Sequence, residues 1–269
     1  MSLRMFELTD KVAIVTGSGR GIGKAIAMGY ADAGANVVVC ARTLAEIEAS
    51  AAEIRTKGRR ALAVPTDVRN ADEIAQLVEK TLNEFGKIDI LVNNVGTTFM
   101  APFLAISERG WDALIRENLK PVYLCTQAVV KAMVEWKIPG CIINISSVLG
   151  QGASPGTSAY GAAKAGIIQL TQTLAQELVF YNIRVNCIAP GLIDTGSSQQ
   201  LFSERPDLMN AQIGVIGMRR LGRADEIVGA AIYLASEAAS YVTGQTITIS
   251  GGFLAQTLKM AEETIKYKP

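Results

Sequence analysis

Short apolar runs alternate with stretches of helical periodicity along most of the chain. The runs are continuous and rich in β-branched residues, which is typical of strands that are covered on both faces. Between them, apolar positions recur every three to four residues, as in amphipathic helices. The predicted strands are Val12–Thr16, Asn36–Ala41, Ala61–Val64, Ile90–Val92, Cys141–Ser146, Arg184–Ile188 and Gln245–Ile249, and the predicted helices are 22–33, 44–57, 71–85, 107–136, 158–181 and 224–236.

This alternation predicts the fold class. Strands that alternate with helices form a parallel sheet with helices on both faces, so we expect a doubly wound, seven-stranded α/β fold. Because no linker, repeat or low-complexity tract divides the chain, we expect one domain over residues 8–253. The least regular part, Gly191 to Arg223, is rich in Gly, Ser, Gln and Pro and predicts a mobile flap over a site. Residues 254–269 form a polar tail to which the sequence assigns no role.

The composition narrows the classes of function. The chain has 269 residues, 49% of them hydrophobic, with 26 basic residues against 25 acidic ones. Because nucleic acids require excess positive charge, we expect no nucleic-acid partner. No apolar run reaches the roughly 18 residues of a membrane span, and no secretory signal is visible, so we expect no membrane partner. The four single cysteines predict buried thiols in a reducing compartment, and we expect a soluble, cytoplasmic protein.

The chain contains no histidine at all. A histidine-based catalytic triad, an imidazole metal site and a histidine proton shuttle are therefore excluded, and we expect no metal. Tyrosine, lysine, serine and carboxylate side chains must carry any acid–base chemistry.

A glycine-rich loop directly follows the first predicted strand and opens onto an apolar helix. Its glycines allow a tight turn and let backbone amides approach a pyrophosphate, which the positive end of the helix dipole favours. The strand before the loop and the helix after it make a nucleotide cofactor the preferred interpretation over a plain loop. The loop residues that we predict to bind this cofactor are Gly17, Ser18, Gly19, Arg20, Gly21, Ile22 and Gly23.

The end of the second strand indicates which cofactor is bound. An acidic residue there would accept hydrogen bonds from the ribose of NAD, whereas an arginine accommodates the 2′-phosphate of NADP. Here Arg42 ends the strand with no acid in reach, and Arg20 offers a second cation. NADP(H) is therefore favoured. NAD(H) stays possible, with Arg42 solvated and Arg20 serving as a clamp between loop and sheet.

Tyr160 and Lys164 lie one helical turn apart in a predicted helix, so their side chains would point into the same space. A fixed positive charge beside a phenol favours the phenolate, and such a tyrosine can exchange a proton with an alcohol or carbonyl oxygen. Taken alone, the pair would more often be an ordinary feature of a helix surface.

Taken together, these motifs follow one another in unbroken order over residues 8–253. In this order the chain closely resembles the classical short-chain dehydrogenase/reductase family, in particular its 3-oxoacyl-acyl-carrier-protein reductases. The resemblance implies a Rossmann fold, and it implies a homotetramer in which the outer faces of helices 107–136 and 158–181 pack between subunits. Val95 departs from the alanine that is usual in the family. Further motifs that carry the resemblance are Asp67-Val68, Asn93-Asn94-Val95-Gly96 and Pro190-Gly191. The cofactor contacts that it implies beyond the glycine loop and Arg42 come from Asp67, Val68, Asn94, Val95, Gly96, Tyr160, Lys164, Pro190, Gly191, Ile193 and Thr195.

The resemblance also implies a catalytic tetrad of Asn118, Ser147, Tyr160 and Lys164. Ser147 follows a buried strand, where ligands sit in open α/β sheets, and its hydroxyl can polarise a substrate oxygen. Adjacent Ser146 is the alternative, but the family's serine stands thirteen positions before the tyrosine, which selects Ser147. Asn118 lies three residues before a proline, which opens the helical turn and leaves polar groups free to hold a water.

We therefore expect an NADP(H)-dependent oxidoreductase that interconverts a secondary alcohol and a ketone. A 3-oxoacyl thioester, a polyol or sugar, and an alicyclic ketone all fit as substrates, because the expected wall (Thr97, Thr98, Val148, Gln151 and the flap 191–217) is uncharged. Arg219, Arg220 and Arg223 would either dock an acyl carrier protein or form a solvated cluster. Three alternatives are an NAD-dependent alcohol or polyol dehydrogenase, a catalytically silent nucleotide-binding scaffold, and an enoyl reductase. The resembled enoyl reductases place six residues between tyrosine and lysine, so the spacing of three argues against the last.

Overall fold

A computed structural model describes residues 3–203 and 206–253. Seven strands form one parallel sheet in the order β3-β2-β1-β4-β5-β6-β9. Strands β7 and β8, of two residues each, form a separate parallel pair. The strands are β1 Val12–Thr16, β2 Asn36–Ala41, β3 Ala61–Pro65, β4 Ile90–Asn93, β5 Gly140–Ile145, β6 Ile183–Pro190, β7 Ile193–Asp194, β8 Gly222–Arg223 and β9 Thr246–Ile249.

Eight α-helices accompany these strands in the described part of the chain. They are α1 Gly21–Asp32, α2 Leu44–Thr56, α3 Ala71–Phe85, α4 Glu108–Glu135, α5 Ser158–Leu178, α6 Gly196–Phe202, α7 Pro206–Gly214 and α8 Val228–Ala235. The first two helices and α8 cover one face of the sheet, and α3, α4 and α5 cover the other. None of the helices in the described part of the chain is both long enough and apolar enough to cross a membrane.

The core explains why the strands read as unbroken apolar runs. Alternate residues of one strand enter opposite layers: Ala13 and Val15 pack with α1, whereas Ile14 packs in the layer of α3 and α4. All three side chains are fully buried. The predicted single α/β domain with a seven-stranded parallel sheet is therefore confirmed, with most strand ends within two residues of the predicted ones.

The segment between Gly191 and Arg223 differs from the prediction of an irregular flap. It contains β7, β8, α6 and α7. A capping box starts α6, in which Thr195 and Ser198 exchange side-chain-to-backbone hydrogen bonds. Because threonine and serine are common in loops and also cap helices, as Thr195 and Ser198 do here, composition alone could not distinguish this segment from a loop. Residues 254–269, which we assigned to a tail, lie outside the described residues.

The strand order determines where a ligand can bind. The chain moves outward from β1 to β3 and then returns to place β4 on the other side of β1. Loops leaving the carboxyl ends of β1 and β4 therefore diverge and open a crevice, which is where ligands bind in open α/β sheets.

Candidate active site

A cleft with a volume of about 880 Å³ runs along this carboxyl edge, from the loop after β3 to the turn after β6. Most of the predicted site residues line it. They are Gly17, Gly19, Arg20, Gly21, Ile22, Arg42, Asp67, Val68, Asn94, Val95, Gly96, Ser147, Tyr160, Lys164, Pro190, Gly191, Ile193 and Thr195.

The glycine loop has the shape that a pyrophosphate requires. Gly17 and Gly21 have positive φ angles of 65° and 58°, and a Cβ atom on Gly23 would collide with the carbonyl oxygen of Gly17. Arg20 precedes α1 without capping it through its side chain, so no side-chain cap competes for the first amides of the helix. Such amides, together with the helix dipole, form an anion site. The loop therefore fits a dinucleotide phosphate.

Ser18 and Gly23 do not line the cleft. The hydroxyl of Ser18 donates to Val15 O over 2.7 Å and accepts from the amide of Cys40 over 2.9 Å. Ser18 therefore fastens the glycine loop to β2, and Gly23 lets the helix approach that loop closely. Both residues shape the predicted cofactor site from behind.

Arg20 and Arg42 are both exposed at the rim of this end of the cleft. Sequence reasoning found no acid in reach, but Glu46, in the first turn of α2, also lines the cleft. A Cβ atom on Gly19 would lie only 2.8 Å from Glu46 Oε2, so this carboxylate faces the glycine loop. Helix α2 begins just after Arg42, and this turn of the chain brings Glu46 back toward the glycine loop. The position of Glu46 in the sequence, four residues after Arg42, does not indicate this contact.

Asp67, at the loop after β3, binds Arg69 through two oxygens, with Nε–Oδ1 at 2.9 Å and Nη2–Oδ2 at 2.5 Å. This hydrogen bonding lowers the pKa of Asp67, and the charge of Arg42 acts in the same direction. Arg69 also reaches Glu117 of α4, with Nη1–Oε1 at 3.4 Å. Sequence reasoning missed both Arg69 and Glu117, because the pair joins residues 48 positions apart.

Asn94 and Val95 connect the glycine loop to β4. The side-chain amide of Asn94 donates to Thr16 O over 3.0 Å and to Gly17 O over 3.3 Å, and its backbone amide donates to Thr16 Oγ1 over 2.9 Å. The extra methyl groups of Val95 lie against Gly17, since a Cβ atom there would be 3.2 Å from Val95 Cγ2. The departure from alanine therefore fills space beneath the loop.

Tyr160 and Ser147 lie together at the far side of Gly96, where α5 begins. A hydrogen bond with Ser147 lowers the pKa of Tyr160, but burial has the larger effect and raises it above the ordinary value. The Ser147 hydroxyl also accepts from the amide of Leu149 over 3.1 Å, which holds its oxygen in place. Neighbouring Ser146 also lines the cleft, but it is buried and its hydroxyl donates to Lys164 O over 2.7 Å, so it supports α5.

Lys164 is buried, with its ammonium nitrogen donating to Ile145 O over 3.0 Å. Its Nζ lies over the ring of Tyr160, 5.6 Å from the ring centroid. Burial lowers the pKa of Lys164 to about 8. The ammonium therefore faces the aromatic ring of Tyr160, and the expected effect of its charge on the phenol stays a prediction.

Asn118 is fully buried next to this group but does not line the cleft. Its Nδ2 donates to Thr97 O over 2.9 Å and to Leu114 O over 2.8 Å, and its Oδ1 accepts from the amide of Thr97 over 3.2 Å. A Cβ atom on Gly96 would lie 2.8 Å from Asn118 Oδ1 and 3.1 Å from Lys164 Nζ. Both polar atoms therefore flank the same glycine.

The turn after β6 closes the cleft opposite β4. Gly191 packs so closely on Ser250 that a Cβ atom would lie 2.8 Å from Ser250 Cα. Thr195 caps α6, and its methyl group lies 3.5 Å from the Cβ position of Gly21. The beginnings of α1 and α6 therefore meet across the cleft, and backbone amides from both can face an anionic cofactor.

The residues predicted for the substrate wall and its mouth are only partly assembled there. Thr97 and Thr98 line the cleft, whereas Val148 is buried and Gln151 accepts a hydrogen bond from Thr248 Oγ1 over 2.7 Å. In the basic cluster, Arg220 pairs with Glu226 at 2.7 Å and Arg223 pairs with Asp225 at 3.0 Å. These ion pairs neutralise much of the charge that docking of an acidic carrier protein would use. Within residues 3–203 and 206–253, no cluster of three acidic or cysteine side chains is arranged to hold a metal.

A buried polar network supports the site from below, and sequence reasoning missed it. Asn93 Nδ2 donates to Asn144 Oδ1 and to Thr126 Oγ1, each over 2.9 Å, and Asn144 Nδ2 donates to Thr171 Oγ1 over 2.9 Å. The network joins β4, β5, α4 and α5. It therefore fixes the two helices that carry Asn118 and Tyr160 to adjacent strands.

Comparisons with known proteins agree with this architecture. A protein-family model described as Enoyl-(Acyl carrier protein) reductase matches residues 17–254. A 3-oxoacyl-[acyl-carrier-protein] reductase from Synechocystis sp. is 44% identical over 252 residues, which cover 93% of this chain and 99% of that protein. A short-chain type dehydrogenase/reductase from Mycobacterium marinum has a solved structure with a TM-score of 0.89 and 35% identity, covering 94% of this chain and 99% of the other. A gluconate 5-dehydrogenase from Burkholderia cenocepacia, in complex with NADP and tartrate, has a TM-score of 0.89 and 34% identity, covering 96% and 100%.

Proposed function

The chain belongs to the short-chain dehydrogenase/reductase family and is an NAD(P)-dependent oxidoreductase, and from that premise we propose that it interconverts a ketone and a secondary alcohol with NADP(H). One observation carries the proposal. Tyr160, in contact with Ser147 and Lys164, lies at one end of a cleft whose other end is a phosphate-shaped glycine loop. A proton donor and a dinucleotide site in one cleft are what carbonyl reduction requires.

The proposed cofactor is NADP(H), with NAD(H) as the alternative. Arg42 and Arg20 support it, because both are exposed at the end of the cleft where the adenosine ribose would lie. The related gluconate 5-dehydrogenase binds NADP, which points in the same direction. When bound, the nicotinamide supplies the hydride chemistry at its C4 carbon. The glycine loop would hold the pyrophosphate, and Pro190, Gly191, Ile193 and Thr195 would surround the nicotinamide end.

The proton chemistry would belong to this chain's own residues. Because the pKa of Tyr160 is raised, the phenol is protonated at neutral pH and can donate its proton to the developing alkoxide oxygen. The hydroxyl of Ser147 would hydrogen-bond the same oxygen and stabilise its negative charge. Lys164 would hold the nicotinamide ribose, and Asn118 would position a water that returns a proton toward the lysine.

Reduction of an enoyl carbon–carbon bond is the rival chemistry, since the matching family model carries that description. Tyr160 and Lys164 lie one turn apart on α5, with the ammonium over the tyrosine ring. That arrangement resembles the ketone-reducing members of the family. The 44% identical relative, a 3-oxoacyl-[acyl-carrier-protein] reductase, also supports carbonyl chemistry. We therefore propose carbonyl chemistry. The substrate classes are a 3-oxoacyl thioester, a sugar or polyol, and an alicyclic ketone.

The cofactor half of this proposal is tested by binding NADPH and NADH to the purified protein without substrate. We expect NADPH to bind at least about tenfold tighter, and Arg42→Ala to erase that preference, because the arginine would neutralise the 2′-phosphate. Arg109→Ala, an exposed arginine outside the cleft, is the matched control and should bind like the wild type. Equal or tighter binding of NADH would instead identify an NAD-dependent alcohol or polyol dehydrogenase.

The reaction half is tested by offering ketones and 2-enoyl thioesters together with NADPH. Consumption of NADPH with ketones supports the proposal. Consumption with enoyl thioesters alone would assign the rival reaction, and cofactor binding without any turnover would favour the silent scaffold.

We also propose a homotetramer assembled through α4 and α5. Large apolar side chains are exposed on this side of the molecule, including Tyr123 on α4 and Phe180 after α5, which are 48% and 85% exposed. Burying such side chains between subunits would be favourable. Light scattering on the eluting protein measures the molar mass directly, and a monomer at micromolar concentration would contradict this assembly.

A reducing, cytoplasmic location is proposed as well. All four cysteines, Cys40, Cys125, Cys141 and Cys187, are free and buried. Burial raises the pKa of the Cys141 and Cys187 thiols to about 11, so they stay protonated and unreactive at neutral pH.

A further inference from the structure

The segment after β4 exposes four large apolar side chains next to the cleft. Phe99, Met100, Phe103 and Leu104 are 40%, 39%, 70% and 98% exposed, and we name these four the apolar rim. Thr97 and Thr98, which directly precede the rim, line the cleft. The rim is therefore a continuation of the cleft wall on the side of the catalytic residues.

The rim is held in place at several points. Thr97 exchanges backbone hydrogen bonds with the side chain of Asn118, and the amide of Ala101 donates to Gly156 O over 3.0 Å. Met100 Cε lies 3.7 Å from the Cβ position of Gly156, in the loop that leads to Tyr160. A turn of 3₁₀-helix, Phe103–Ala105, presents the last two side chains of the rim. These anchors make the rim a formed surface beside the catalytic tyrosine.

Charge is distributed unevenly around this surface. Among the described residues that line the cleft, the charged ones other than Lys164 come from the glycine loop, the end of β2, the start of α2, the loop after β3, and Glu117 of α4, which is paired with Arg69. Thr97, Thr98 and Ser147 line the catalytic end with uncharged groups. An apolar chain leaving the reacting carbon on this side would contact uncharged atoms first and the rim afterwards.

We propose that the apolar rim is a subsite for the alkyl chain of the ketone, so that the enzyme prefers ketones with an apolar chain over those with a polyhydroxy or carboxylate chain. This inference rests on the proposed ketone reduction and narrows its substrate class. Four large apolar side chains in water beside a catalytic cleft are typical of a surface that a ligand covers. Each methylene that leaves water for such a surface tightens binding by up to about fourfold.

The experiment measures kcat/KM with NADPH for unbranched 2-ketones of four to nine carbons and for 5-ketogluconate. We expect kcat/KM to rise by about twofold to fourfold per added methylene, and 5-ketogluconate to fall below the longer ketones. In the double variant Phe103→Ser, Leu104→Ser, the ratio of kcat/KM between the longest and the shortest ketone should fall at least fivefold. Tyr241→Ser removes a fully exposed aromatic side chain that does not line the cleft and should keep the wild-type ratio.

Each outcome separates the inference from the proposed function. If ketones are reduced but kcat/KM does not depend on chain length, or if the double variant keeps the wild-type ratio, the subsite is wrong and ketone reduction stands. If the double variant changes the molar mass and leaves the ratio unchanged, the rim is a contact between subunits, which also overturns the subsite. If neither NADPH nor NADH supports reduction of any ketone, both the subsite and the proposed function are overturned.

Discussion

Charged side chains line the cleft beside the first three strands, whereas uncharged side chains line most of it beyond β4. The first half contains Arg20, Arg42, Glu46 and Asp67, all of which can act on an anion at a distance. In the second half, the charged lining residues that the structure describes are Glu117, which is paired with Arg69, and Lys164, which is buried. Under the proposed function both halves would face one ligand, the cofactor, but they would act on it differently.

The two halves of the cleft should differ in how well they tolerate substitution. Charges at an exposed rim are screened by water and salt, so each contributes modestly to binding and can be replaced at small cost. Groups in the catalytic half act through position and burial, where a displacement of about one ångström can cost a hundredfold in rate. We therefore expect substitutions in the adenosine half to change the choice of cofactor and those in the catalytic half to change turnover.

The largest effect is expected for Tyr160→Phe, in the catalytic half. Removal of the phenol hydroxyl leaves the ring and its packing, so folding and NADPH affinity should change little. Loss of the proton donor should lower kcat by about a hundredfold or more, within the range that general acids contribute. Steady-state reduction of a ketone measures it. A variant that retains more than about a tenth of the wild-type rate, a difference of roughly 1.4 kcal/mol in barrier, would remove Tyr160 from the mechanism.

Gly96→Ala tests the border between the two halves. The new methyl group would lie 2.8 Å from Asn118 Oδ1, which is fixed by the backbone of Thr97 and cannot move freely. We expect kcat to fall by about tenfold to a hundredfold, because the catalytic groups shift relative to each other. The matched control is Gly229→Ala, because a Cβ atom at Gly229 would meet no heavy atom within 4 Å. Gly86→Ala is unsuitable, because the backbone of Gly86 is left-handed. A Gly96→Ala enzyme with normal kcat would show that Asn118 and Lys164 need no fixed separation.

The pH dependence of NADPH binding tests the buried charge of the catalytic half, Lys164. Because burial lowers the pKa of Lys164 to about 8, the ammonium loses its proton as the pH rises through that value. NADPH affinity should therefore be constant below pH 8 and fall by at most about tenfold per pH unit above it. The free energy of unfolding should change in the opposite sense and rise between about pH 8 and 10.5, since the unfolded lysine still binds a proton there.

Fluorescence titration of NADPH at pH 7 to 9.5 measures the first effect. In Lys164→Met the affinity should be lower and independent of pH over this range. An identical pH profile in this variant and in the wild type would assign the titration to another group.

The smallest effect is expected for Glu46→Gln in the adenosine half. This carboxylate faces the glycine loop and would repel a 2′-phosphate, so its neutralisation should tighten NADPH binding by about threefold and affect NADH less. Glu48→Gln, an exposed residue on the same helix, is the matched control and should leave both affinities unchanged. Weaker NADPH binding in Glu46→Gln would mean that the carboxylate supports the site through the loop.

Regularities of short range made the sheet and the candidate residues predictable. Buried strands such as β1 and β2 are visible as continuous apolar runs, and the turn-by-turn spacing of Tyr160 and Lys164 follows from one helix. The order of these motifs along the chain then indicated the family. Local patterns therefore predicted the fold and most of the named residues that line the cleft.

Interactions between distant residues could not be predicted in the same way. The bond between Asn93 and Asn144 and the ion pair between Arg69 and Glu117 join residues about 50 positions apart, and neither member signals its partner. The pKa of Tyr160 depends on how deeply the phenol lies in protein, which helical spacing does not report. These features are decided by packing, so they required the structure.

Two of the four buried thiols lie behind the cleft, and their reaction with a labelling reagent would report local opening of the protein. The amide of Cys40 donates a hydrogen bond to Ser18 Oγ beneath the glycine loop, whereas Cys187 lies beside Lys164 beneath the catalytic half. Neither thiol can meet a labelling reagent until the surrounding structure opens. The rates at which the two cysteines react would therefore give the opening free energy of each half separately, and their slowing by NADPH would map how far cofactor binding spreads through the fold.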